Sequence, residues 1–99
     1  MPTLHILLRD GFNHDDVVLR VNNREAARGS DVTTDLTISH AASFDVPAPE
    51  GRCALRIEIL TQNISSSVDL DPADTPYVAA FVRKGRVEFH KLKEAMLML

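Results

Sequence analysis

Tryptophan is absent from this sequence of 99 residues, which contains only one tyrosine and four phenylalanines. Single-stranded nucleic acids are commonly bound by rows of aromatic side chains on which the bases stack. Basic charge is also scarce, because 11 Lys and Arg against 14 Asp and Glu give a net charge of −3. We therefore expect no nucleic-acid partner and no electrostatic attraction to an acidic membrane.

Cysteine is nearly absent, and with Cys53 alone no internal disulfide can form. Small secreted domains, in contrast, commonly depend on several disulfides. The first residues also lack the basic region and apolar stretch of a secretion signal, and their apolar run is too short to span a bilayer. These absences favour a reducing, cytoplasmic location.

Motifs of catalysis and cofactor binding are missing as well. No Gly-x-Ser-x-Gly turn surrounds Ser65–Ser67, and neither a phosphate-binding lysine loop nor a dinucleotide-binding glycine motif is present. Cys53 has the inward parity of an apolar strand, which predicts an inert core thiol. Four histidines are spread along the chain, without the close spacing of zinc ligands: His5, His14, His40 and His90. We expect no cofactor and favour a non-enzymatic role, although a catalytic cluster formed only on folding stays open.

Apolar and polar residues alternate with a period of two along most of the chain, which predicts β-strands. The alternating runs begin at Leu4, Val17, Leu36, Phe44, Cys53, Ile64 and Val87. Turn-forming residues separate the runs, and the clearest hairpin has Lys84-Gly85 at its tip. The pattern predicts an all-β fold, a single antiparallel β-sandwich of roughly seven to eight short strands that occupies residues 1–99 as one domain.

Two segments depart from the alternation. The run from Tyr77 to Val82 is apolar on both parities, which indicates a strand covered on both faces or used as an interface. The apolar tail 91–99 places Leu92, Ala95, Met96 and Leu99 at helical spacing. Its composition favours a short C-terminal helix, and continuation of the last strand is the alternative.

These apolar segments suggest a module that acts by protein–protein contact. A homodimer would bury them symmetrically, and docking of the tail on a different protein partner is a second option. A third option is that the tail folds back to complete the core. The predicted interface residues are Tyr77, Val78, Ala80, Val82, Leu92, Met96 and Leu99.

Two acidic loops, at residues 10–16 and 69–74, support an alternative function in small-ligand or divalent-metal binding. Carboxylate oxygens are the ligands that Ca²⁺ prefers, and loops at one end of a sandwich could share an ion. The candidate ligands are Asp10, Asp15, Asp69, Asp71 and Asp74. Asp is also what tight turns select, so turn formation is the competing explanation.

One stretch resembles small transthyretin-like β-sandwich modules, including those of the PEGA type. "VVLRVNNREAARGSDVTTDLTIS", followed by "GRCALRIEI", is similar to their strand, turn, short strand and extended strand over about forty residues. Asn22-Asn23-Arg24 stands in the turn, and Gly51 precedes the later strand. The chain lacks the Gly-x-Thr-Pro and Gly-Tyr elements of the PEGA type and any catalytic set of the transthyretin-like hydrolases. The resemblance therefore implies a sandwich used for binding or assembly, and no functional residue carries over.

Overall fold

The computed structural model describes residues 3–35, 37 and 41–92, and this part of the chain is built from strands. The eight strands are β1 (Thr3–Leu8), β2 (Asp15–Val21), β3 (Arg24–Val32), β4 (Ala42–Pro47), β5 (Cys53–Ile59), β6 (Ile64–Leu70), β7 (Tyr77–Arg83) and β8 (Arg86–Leu92). A single turn of 3₁₀ helix at Leu60–Gln62 connects β5 to β6.

The strands form two packed sheets of four, which confirms the predicted all-β sandwich. Sheet I has the order β4-β1-β7-β8, and sheet II has the order β3-β2-β5-β6. Neighbouring strands are antiparallel except β1 and β7, which pair in parallel with His5 opposite Tyr77. The expectation of a purely antiparallel sandwich is wrong for this pair, because alternation predicts which face a residue occupies and not the direction of its neighbour.

The core lies between the inner faces of the two sheets. Leu4 and Ile6 of β1 and Leu55 and Ile57 of β5 belong to one buried cluster, and each of these four side chains is 0% exposed. Full burial of such a side chain contributes about 1.5–3 kcal/mol, so burial between the two sheets stabilises the sandwich. Cys53 lies in the same cluster at 4% exposure, as its inward parity predicted.

Two hairpins close through paired residues with positive φ. Lys84 (φ 53°) and Gly85 (φ 74°) join β7 to β8, which confirms the predicted hairpin tip. Asn22 (φ 50°) and Asn23 (φ 68°) join β2 to β3 in the same way. Two consecutive left-handed residues match the right-handed twist of the flanking strands, and Gly and Asn adopt that conformation at low cost.

Strand β3 is the element that alternation did not predict. It is an edge strand, exposed or half-buried along most of its length, and its pairing with β2 contains two irregularities. A strand that buries few side chains does not need an apolar residue at every second position. The predicted strand at 36–39 lies outside the described residues, except for Thr37.

The predicted C-terminal helix also lies outside the described residues, since β8 ends at Leu92 and the structure describes nothing beyond it. No helix in the described ranges has the length and apolar character that a bilayer span requires.

Candidate interaction face

The outward side of sheet II is a solvated, charge-balanced surface. Glu58 accepts a hydrogen bond from Arg20 across the β2–β5 pair and lies 3.8 Å from Arg56 Nε. Arg28 on β3 pairs with Glu25 at 2.8 Å. Val18 shares this side, but the neighbouring charged side chains leave it only 1% exposed, because long stems cover apolar surface while their heads stay in water.

The outward side of sheet I is different in character. Because Leu4, Ile6 and Leu8 face the core, the alternate residues of β1 face outward. The same parity on β7 and β8 brings together a mainly apolar and aromatic set: His5, Leu7, Tyr77, Ala79, Phe81 and His90. We call this set the aromatic face. Its large apolar members are half-buried, and Ala79 at its centre is 0% exposed.

Two pairs of rings contact each other on the aromatic face. His5 stacks on Tyr77, with ring centroids 4.7 Å apart and an interplanar angle of 19°. Phe81 meets His90 edge to face at 5.0 Å and 60°. Stacked and edge-to-face arrangements of this kind are favourable and restrict the orientations of the side chains involved.

Charged residues border the aromatic face on two sides. On the β4 side, Asp45 Oδ1 lies 2.6 Å from His5 Nδ1. At the β7–β8 hairpin, Glu88 Oε2 lies 3.9 Å from Arg83 Nε. An apolar centre inside a polar rim is the usual anatomy of a protein interface.

Several of the predicted interface residues lie elsewhere in the fold. Val78 and Ala80 point into the core at 0% exposure, and Val82 is partly buried against the same cluster. Their assignment to an interface is wrong, because β7 has a strand on each side and its inner face is covered by sheet II. Tyr77 lies on the aromatic face, and Leu92 stands opposite it in register. Met96 and Leu99 lie outside the described residues.

The sequence did not identify Leu7, and it included Phe81 only within the segment Tyr77 to Val82, without naming it as an interface residue. Both sit on the outward parity of strands whose inward parity is already apolar, as "HILL" and "YVAAFV" display. An apolar residue on the second parity was the available signal. This signal identified β7 as unusual, but it did not indicate which of the two alternating sets of residues faces outward.

The two acidic loops lie at opposite ends of the sandwich. The first follows β1, and Asp10 accepts a backbone hydrogen bond of 2.8 Å from Val82, near the end of β7. The second leads directly into Tyr77, where β7 begins. The rise along β7 between those points is about 17 Å, so the expectation that both loops meet at one end is wrong.

In each loop one carboxylate acts as a structural hydrogen-bond acceptor. Asp15, only 2% exposed, accepts hydrogen bonds from Thr61, Gln62 and the Asn13 backbone. Asp71 accepts from the backbone N–H of Ala73 at 3.0 Å, which closes a turn. In the residues that the structure describes, no group of three or more His, Cys, Asp or Glu side chains could hold a metal ion.

The Asp15 carboxyl is the acidic group most involved in the fold. Burial raises its pKa, but the hydrogen bonds from Thr61, Asn13 and Gln62 together with the charge of His14 outweigh that effect, and the net pKa lies below the ordinary value. The carboxyl is therefore ionised at neutral pH. It ties the start of β2 to the 3₁₀ turn after β5.

Cys53 and Ser65–Ser67, which the sequence did not favour as nucleophiles, lie in the core and on β6. Burial, with a smaller contribution from Asp71 and Asp69, raises the pKa of the Cys53 thiol, so the thiol stays protonated and unreactive. Ser65 and Ser67 are exposed on the outward side of sheet II. The Ser65 hydroxyl accepts from Arg56 at 3.1 Å.

Comparison with known proteins identifies no relative: no family model, curated protein or solved structure matches the chain. The transthyretin-like resemblance therefore stays a prediction. The function has to be inferred from the geometry of the described residues.

Proposed function

We propose that this protein is a non-catalytic interaction module that forms a homodimer through its aromatic face and the apolar tail. The observation that carries the proposal is the contrast between the outward sides of the two sheets. Sheet II presents charged pairs and serines, whereas sheet I presents Leu7, Tyr77 and Phe81 around Ala79. An isolated sandwich has no need for aromatic residues on a solvated face.

The place of the tail in the sequence supports the same face. β8 ends at Leu92, which stands opposite Tyr77 in the register of sheet I. The residues that follow, "KEAMLML", include Met96, Leu97, Met98 and Leu99. This apolar segment follows Leu92 in the sequence, and we propose that it extends the interface beside the aromatic face.

The size of the face favours a modest affinity. Four strands about 4.8 Å apart and about 23 Å long present a face of roughly 400 Å². Two such faces bury on the order of 1,000 Å², near the lower limit for a specific interface. The tail would enlarge this contact, so we expect dimerisation to depend on protein concentration and to weaken when the tail is made polar. We keep the cytoplasm as the proposed location, on the evidence of a single cysteine.

The test is the solution mass of the full chain and of Phe81→Arg, measured by light scattering over a wide range of concentration. Phe81 stands opposite Glu88 on the outward side of sheet I, so the new arginine gains a cross-strand partner and the fold is retained. We expect the variant to raise the dimer dissociation constant by more than about tenfold.

Ser65→Arg is the matched control, because Ser65 stands opposite Glu58 on the outward side of sheet II. We expect its dissociation constant to equal that of the unmodified protein. In the double variant Met96→Asp with Leu99→Asp we expect weaker association. A full chain that is monomeric at every concentration, or a folded Phe81→Arg variant with unchanged mass, would contradict the proposal.

A further inference from the structure

Two histidines lie on the aromatic face, and their surroundings differ. His5 Nδ1 lies 2.6 Å from Asp45 Oδ1, and its ring stacks on Tyr77. A protonated His5 would thus have a carboxylate beside it, and its charge would be compensated within one copy of the chain.

His90 has the opposite environment. Its side chain is exposed, Ala79 stands opposite it on β7, and Phe81 contacts its ring. The nearest acid on its own strand is Glu88, whose carboxylate lies 3.9 Å from Arg83.

The other charged or titratable groups near His90 do not offer it a carboxylate. They are Arg86 on the same strand, Tyr77 on β7, and Arg9 directly after the end of β1. The Arg9 backbone N–H donates a hydrogen bond to the Ala80 carbonyl oxygen of β7. Lys91 points to the other side, where its Nζ lies 3.4 Å from the Asp69 carbonyl oxygen. In the described part of the chain, no ion pair joins His90 to a carboxylate.

Resting on the homodimer proposed above, we propose that the association is switched off in mild acid by protonation of His90. Closing two aromatic faces would move the His90 ring of each copy out of water. A neutral imidazole can accept that transfer, whereas an imidazolium without a carboxylate cannot do so without a large cost. Two-fold symmetry doubles the cost, since each copy contributes one such ring.

Histidine is the side chain whose ordinary titration falls in this range, so a change between about pH 7.5 and pH 5.5 isolates it from the carboxylates. We would measure the dimer dissociation constant of the full chain at both values by sedimentation, with thermal unfolding as a check that the fold is retained. We expect association at least about tenfold weaker at the lower pH.

Variants locate the group responsible. His90→Gln should associate equally at both pH values, because glutamine is polar and stays neutral. His5→Gln should keep most of the pH dependence. His14→Gln should keep all of it, since His14 pairs with Asp31 of β3, an exposed edge strand of sheet II away from the aromatic face.

The possible outcomes separate the two proposals. Association that does not change with pH, or a His90→Gln variant that keeps the full dependence, overturns the switch and leaves the homodimer standing. A chain that stays monomeric at both pH values overturns the homodimer, and the switch with it. If His90→Gln fails to fold, His90→Asn serves the same comparison.

Discussion

At the scale of the residue, Gly11 occupies a position that no side chain fits without a rearrangement. Its φ is +95°, and a Cβ built on it would lie 2.2 Å from the carbonyl oxygen and 2.7 Å from the Cβ of Val82. The loop after β1 therefore packs directly against the end of β7. The close approach is stabilised by the 2.8 Å hydrogen bond from the Val82 N–H to Asp10.

Gly11→Ala should lower the free energy of unfolding by about 2–4 kcal/mol, from left-handed strain and the steric clash together. Gly51→Ala is the control, because Gly51 has φ +83° but no atom within 4 Å of a built Cβ. It should cost about 1 kcal/mol from strain alone. Urea unfolding measures both, and equal losses would show that the close packing of Gly11 contributes nothing.

Asp15 gives the fold a dependence on acid. Because its folded pKa lies below the ordinary value, its contribution is complete above the unfolded pKa of about 3.9 and is lost as the pH falls through the folded value. Asp15→Asn should lose about 1–3 kcal/mol at neutral pH and show a flatter decline in stability below about pH 4. The exposed neighbour Asp16, changed to Asn, is the comparison. If both variants respond to acid alike, Asp15 is not the source.

At the scale of the element, the β2–β3 turn also forms hydrogen bonds with the beginning of β5. The Asn22 Oδ1 accepts a 2.9 Å hydrogen bond from the Ala54 N–H, and the Asn22 N–H donates to the Ala54 carbonyl at 2.9 Å. A residue chosen for its left-handed φ thus extends the pairing of β2 with β5 past the end of β2. Asn22 therefore has two roles: its backbone conformation forms the turn, and its side chain fixes the register of β2 against β5.

Asn22→Gly keeps the left-handed turn but leaves the Ala54 N–H without its acceptor. Asn23→Gly keeps both Asn22 contacts and relieves a second left-handed residue, so it should be neutral or slightly stabilising. We expect the difference in unfolding free energy between the two variants to be about 1 kcal/mol. Equal stabilities in chemical denaturation would mean that the side-chain hydrogen bond adds nothing to the registration.

Strands that bury one face could be predicted, and strands that bury little could not. β5 carries Leu55, Ile57 and Ile59 inward against Arg56 and Glu58, and its period of two is unambiguous. β3 lies at the edge with Ala26 and Ala27 half-buried, so nothing enforces alternation there. Hairpin tips were also predictable, because positive φ restricts residue type at the turn itself.

At the scale of the whole molecule, the candidate face was only partly predictable. The doubly apolar segment 77–82 correctly indicated an unusual strand, but three of its four proposed contact residues face the core. Which parity faces outward depends on where the second sheet lies, and that is a property of the packed sandwich. The expectation that the two acidic loops meet at one end was wrong for a related reason. The composition of a loop does not indicate which end of a sandwich the loop occupies.

The parallel pairing of β1 with β7 has a consequence for how the chain acquires its structure. Sheet I has no centre until Tyr77–Arg83 has been synthesised, because β1 joins β4 on one side and β7 on the other. Until β7 has been synthesised, Leu4, Ile6 and Leu8 therefore lack part of the packing that surrounds them in the folded protein. Contacts so distant along the chain are typical of proteins that fold in milliseconds to seconds, and apolar surface exposed during that interval favours aggregation.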